Sequence, residues 1–406
     1  MKGAARIASV LALLLIVSAG CAHPSSSAPA AAVSSPSAAT SAAPAPIPAA
    51  TPPGAAQVLP AIYQVTYDFV SASHGWAFVT RQQSLLSTAP PVFWVFRTTD
   101  GAVSWQLQFT GTVEGLEAGA VQFFDEADGI LFAGGVQSTV QYQTADGGVH
   151  WSPLTLPGGL TGAYSVADPT HAWVYAYTNL SGYTANLFET SDGGSSWDLR
   201  SWPAGASWPG NGIVGEQHFR SDGEGWFGGL ALDAKTYSTL DGGLTWQSHT
   251  IPIAPGLYPT TPVKGEQLSV DVSLLPSSGV VASVVGGYGR RHFFTSYDHG
   301  ATWKLVVSPP NESGFTSYVY SDNQHWWAMD PRLSLFKTSD AGQSWTSVDT
   351  QAPLDGWVYT SPHLIDGTHA WALLTSTDLN TALVMSSDGG VTWSPVNVPQ
   401  PPAAPA

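Results

Sequence analysis

Seven copies of one eight-residue pattern, [S/T]-x-D-x-[G/A]-x-x-W, constrain what this chain can become. They read TTDGAVSW (98–105), TADGGVHW (144–151), TSDGGSSW (190–197), TLDGGLTW (239–246), SYDHGATW (296–303), TSDAGQSW (338–345) and SSDGGVTW (386–393). Their aspartates are Asp100, Asp146, Asp192, Asp241, Asp298, Asp340 and Asp388, and the 288 residues from first to last give a mean interval of 48. A fixed period near 50 marks a chain built from repeated supersecondary units, and at this size the unit is a propeller blade.

Each copy reads as a tight hairpin. Apolar or alternating stretches such as VFWVFRT, NLFET and LSLFKT precede it, and WQLQF, WDLR and WKLVV follow it. An Asp side chain accepts hydrogen bonds from the backbone of the turn that follows it. Glycine supplies a positive φ that other residues resist, so Ala102 at the glycine place in the first copy predicts a distorted turn. The Ser or Thr two places earlier bonds across the turn. The Trp returns as an apolar anchor, worth ~4–6 kcal/mol before entropy if an indole of ~150–250 Å² is buried. Seven calcium loops would be the rival reading, but each copy offers one or two acids where that cation takes six to eight oxygens.

A second element precedes each copy: a strand, a turn opened by Asp or Ser, a small residue, then an aromatic strand. It carries Trp76, Trp173, Trp226, Trp327 and Trp371, with Ile130 in the second repeat and Val280 in the fifth. Two hairpins per repeat make four strands. The expectation is therefore an all-β chain, a seven-bladed β-propeller of four-stranded antiparallel blades over residues 58–399, with the first and last repeats in phase.

The eight-residue pattern resembles the Asp-box, or bacterial neuraminidase repeat, over residues 62–398. That resemblance implies that the seven aspartates are structural turn-formers remote from any active site. The pairing of a G-W or A-W strand with the box is most similar to the propeller family of photosystem II assembly and stability factors. Sialidases and xyloglucan-cleaving glycosidases share the box less closely. The sialidase resemblance would imply an Arg-Ile-Pro motif, an arginine triad and a Tyr/Glu pair, but the chain has no Arg-Ile-Pro. The xyloglucan enzymes resemble two such propellers facing a cleft, and this chain has one.

The chain opens with MKGAARIASVLALLLIVSAGC, a basic start, an apolar run too short to stay in a bilayer, and small residues before Cys21. This resembles a bacterial lipoprotein signal (1–20), with Ser18 where that motif usually has Leu. The resemblance implies cleavage before Cys21 and lipid on its sulfur. Cys21 is the only cysteine, so the chain makes no internal disulfide. Residues 22–57 hold no charged side chain and are almost wholly Ala, Pro, Ser and Thr. Such a segment builds no core, so 21–57 reads as a lipid-anchored disordered linker, ~30–35 Å as a coil and at most ~110 Å fully extended. Residues 400–406 form a similar tail.

Removing the signal leaves 11 bases against 29 acids, a formal charge of −18. That excludes nucleic acid and a polybasic grip on anionic lipid. The candidate binding residues are few. Trp202 and Trp208 share the loop SWPAGASWPGN, and exposed indoles there would make a platform for sugar rings or partner side chains. Glu216 and Glu266 begin blades four and five, and a carboxylate pair serves either glycosidase chemistry or a solvated channel wall. Arg290 and Arg291 lie in the longest repeat. Arg97, just before a box, reads as a solvent-facing strand residue. No histidine spacing suggests a metal, no residue is assigned as catalytic, and no cofactor is expected. The reading is an extracytoplasmic, membrane-anchored monomer of the bacterial envelope. Its propeller is a non-enzymatic scaffold for a protein or glycan partner, and the alternative is an exo-sialidase-like glycosidase.

Overall fold

The computed structural model describes residues 57–81, 92–112, 118–134, 139–154, 162–177, 185–201, 217–231, 234–254, 268–286, 291–310, 317–329, 334–350, 354 and 356–402. Cys21, the signal and the linker as far as residue 56 lie outside them, as do 403–406. Among the described residues no helix is long and apolar enough to cross a membrane.

The chain folds into seven antiparallel sheets in sequence order, spanning 63–112, 118–154, 162–200, 217–250, 268–305, 317–348 and 358–396. Each holds four strands hydrogen-bonded in chain order, the pattern of a seven-bladed propeller. The first strands of blades one and two, three and four, four and five, and six and seven touch one another, which places the first strands innermost. Second strands are largely buried, as in Gly75–Arg81, and fourth strands such as Gln106–Thr112 are largely exposed. Blade five has a fifth strand: Leu230–Ala231, from blade four, pairs with its inner edge at Ser269 and Leu268.

The core lies between blades, where sheets pack face to face. At three seams the last Phe of an inner strand stacks on the second-strand Trp of the preceding blade. Phe123 lies 3.5 Å from Trp76, Phe219 4.3 Å from Trp173, and Phe69 4.0 Å from Trp371, with rings within 10° of parallel. These Phe rings explain the glycine before the aromatic. A Cβ on Gly75, Gly129 or Gly225 would come within 2.4, 2.5 and 2.1 Å of Phe69, Phe123 and Phe219. Blades three and seven carry Val166 and Leu364 in place of Phe, and there alanines (Ala172, Ala370) are tolerated.

Blade five corrects the sequence alignment. Leu274 pairs with Val280 as Phe69 pairs with Gly75, so Val281, not Val280, holds the tryptophan position. The indole missing there is replaced from the other side. Trp326 stands where blades one, two and four have glycine, and it packs with Val281, Phe293 and Val306 across the seam. The doubled tryptophan in HWW is one repeat residue, Trp327, and one compensating residue, Trp326.

All seven boxes have one geometry. In the third, Thr190 Oγ1 donates to Asp192 Oδ1 and accepts from Gly194 N, while Asp192 accepts the amide and hydroxyl of Ser196. The fourth and fifth box positions both take positive φ in every copy. Ala102 does so at φ 73° and keeps its bond to Thr98 Oγ1, so the first turn is not distorted as its sequence suggested. The box tryptophans are half-buried except Trp393, and therefore contribute less than full burial would. Some of these indoles hold the chain leaving the previous blade: Trp246 donates to Ser201 O at 2.9 Å and Trp345 to Val307 O at 2.6 Å, whereas Trp393 donates to Gly390 O of its own turn.

Ring closure uses the same contact. Trp105 donates to Asn397 O, and Asn397 N bonds Ala102 O. Leu59, fully buried, adds a two-bond bridge to Thr381 of blade seven.

Candidate functional site: the central channel and the loop face

The inner strands surround the channel of the propeller, and an inner strand leaves backbone groups of its free edge without a partner strand. Side chains two residues before the first turn of the blade supply part of what is missing. Asp68 accepts from Phe123 N at 2.6 Å, Gln122 donates to Val166 O at 3.5 Å, Ser165 accepts from Phe219 N at 2.8 Å, and His363 Nε2 meets Phe69 O at 2.9 Å. Each bond ties one blade to the next. His218 occupies the same register in blade four. Burial pushes its pKa down, against the opposing pull of Asp271, so this imidazole favours the neutral form. Burial also raises the Tyr67 and Tyr320 phenols, the latter reinforced by Asp271. His218 and Tyr67 keep partial exposure although protein surrounds them, as expected for residues beside a solvent-filled channel. The sequence reading missed this girdle. Its only trace is a polar residue at one fixed offset from the turn.

The two faces of the disc differ. Phe69, Gly75 and Thr98 align at one end of blade one, with its first turn and its box. Tyr63 pairs with Arg81 and Val92 with Thr112 at the other end. The connections between second and third strands, and between blades, therefore depart from the face opposite the boxes.

Of the candidate binding residues, Trp202, Trp208, Glu216, Glu266 and Arg290 lie outside the described residues. Arg291 is described: it opens the third strand of blade five (Arg291–Ser296), exposed, at the end opposite the box. Three other arginines are committed to the scaffold. Arg200 pairs with Glu189 in its own blade. Arg220 bonds Glu224 and reaches Leu275 O and Gly279 O of blade five. Arg97 is not solvent-facing as expected. It is half-buried 5.3 Å over the Trp76 ring, with Nη2 toward Glu126 O of blade two. Lys337 repeats this at the sixth seam, 4.3 Å over Trp327. Among the described residues no three His, Cys, Asp or Glu side chains converge as a metal site would require. The box aspartates stand in the turns after the third strands, and their oxygens are taken up by the turn. By fold, this chain is a seven-bladed β-propeller.

No protein-family model matches the sequence, and no curated protein does. Solved structures do match. A puromycin-hydrolyzing peptidase of Mycobacterium tuberculosis superposes with a TM-score of 0.54 at 14% identity, over 84% of this chain and 54% of that one. YCF48 bound to a D1 peptide gives 0.49 at 16% identity, over 81% and 99%. The GH74 xyloglucanase from Xanthomonas campestris gives 0.43 at 14%, over 81% and 59%. These likenesses concern the fold alone, because binding proteins and enzymes share it.

Proposed function

We propose that the chain is an extracytoplasmic, lipid-anchored scaffold that binds a protein or glycan partner through the loop face of its propeller, and that it has no catalytic role. One observation carries this reading. The box face is closed by short turns whose polar groups bond one another, whereas in blade one the second strand ends, the third begins and the fourth ends at the opposite face. Arg291 stands exposed at the edge of that face, and Trp202, Trp208, Glu216 and Glu266 are the further candidates the sequence offers. Long loops on a rigid scaffold are where recognition residues concentrate. Cys21 would fix the stalk to the membrane, and two or three acyl chains suffice for stable attachment.

A photocrosslinker at position 291, compared with one at position 195 on the box face, tests the reading in cells. The expected result is a discrete adduct from 291 alone, lost in Trp202→Ala/Trp208→Ala, together with acyl labelling lost in Cys21→Ser. Adducts only from 195 overturn the choice of face. Turnover of sialyl or β-glucosyl reporters that disappears in Glu216→Gln or Glu266→Gln overturns the non-enzymatic reading.

A further inference from the structure

The seam between blades two and three departs from its neighbours in three places at once. Ile130 stands where Trp76 and Trp173 stand in blades one and three, and Val166 stands where Phe123 and Phe219 do. The third departure is Gln141. The residue three before the box is apolar in five other blades (Val95, Leu187, Phe293, Leu335, Leu383), all buried, and is the smaller buried Thr236 in blade four. Gln141 is only 4% exposed, and neither its Nε2 nor its Oε1 has a hydrogen-bond partner. The smaller Ile130 and Val166 leave a recess of about 20 Å³ beside it, walled also by Leu131, Leu154, Gly193 and Trp197.

A buried amide with neither group paired is costly. Native interiors meet that cost with a protein partner or with water, and a recess above ~10–15 Å³ admits one water where polar partners are present. The seam supplies a second partner. At two other seams the carbonyl of the first box glycine accepts an indole N–H: Trp76 to Gly147 O and Trp173 to Gly242 O, both at 3.0 Å. The equivalent Gly193 lines this recess, and Ile130 has no N–H to offer.

We propose that one buried water molecule occupies this recess, bound to the Gln141 amide and the Gly193 carbonyl, and replaces the indole that joins the equivalent blades elsewhere. The seam between blades two and three is then a hydrated one.

Oxygen-17 magnetic relaxation dispersion on the intact protein counts slowly exchanging internal waters, and a high-resolution crystal structure locates them. The expected results are a water peak within about 3.2 Å of Gln141 Nε2 or Oε1, and one internal water fewer in Gln141→Leu with the circular dichroism of the fold unchanged. Gln141→Met serves as the second variant should Leu fail to fold. A count unchanged in the folded variant overturns the proposal, as does an empty recess with the Gln141 amide bonded directly to protein atoms.

Discussion

Thr190 puts two hydrogen bonds on one oxygen, donating to Asp192 and accepting from the buried amide of Gly194. Thr190→Val keeps the shape and leaves that amide unpaired, so it should cost about 1–3 kcal/mol in urea unfolding, whereas Thr190→Ser should cost little. The same turns set the acid limit of the protein. Asp146 is held at about 2 by the His150 amide and ring, and Asp340 at about 2 chiefly by the Ser344 hydroxyl of its own turn. Asp388 is held at about 2 chiefly by the Thr392 hydroxyl. A carboxyl whose folded pKa is depressed stabilises the fold above its unfolded value of ~3.9 and loses that contribution as pH falls through the folded value. Thermal stability should therefore hold steady on acidification to about pH 4 and decline between about pH 4 and pH 2, followed by calorimetry. The aspartate, the hydroxyl before it and the glycine were legible as turn chemistry. The second positive φ, adopted by Ala102, and the hydroxyl one place before Trp were not, because positions that vary in residue type hide a shared backbone geometry.

Within a blade, the first hairpin is governed by one exchange: a ring on the inner strand against a missing Cβ on the second. Gly225→Ala should destabilise by about 1–3 kcal/mol, since the new Cβ would meet the Phe219 ring at 2.1 Å. Phe219→Val should relieve part of that cost, giving a favourable coupling in a double-mutant cycle. The native Val166–Ala172 pair of blade three already has this combination. Strand number and order could be read from the repeat because hydrophobic alternation and turn residues are local signals. The Val281 shift could not, because its evidence lies in the next blade, where Trp326 fills the space. The channel girdle escaped notice for a related reason: Asp68, Gln122, Ser165 and His363 differ in chemistry and agree only in where they reach.

Across the whole ring, cohesion is uneven. Seams with a stacked Phe–Trp pair contrast with the seam of Ile130, Val166 and Gln141, so hydrogen exchange should find the lowest protection along the facing strands of blades two and three. Leu59→Ala should cost about 2–5 kcal/mol by emptying a buried site at the closing seam. Of the candidate binding residues, strand direction places Arg291 at the edge of the face opposite the boxes, and the other five lie outside the described residues. What a repeat cannot reveal is the residue that differs between copies for the sake of a ligand, since such a residue obeys no period. The bridge between Leu59 and Thr381 has a mechanical corollary. The polypeptide is stapled to its last blade before it begins to form its first. Any tug along the stretch preceding Leu59 thus meets two antiparallel backbone bonds on blade seven before it can reach the innermost strand of blade one, and the joint where the circle was completed is shielded from that pull.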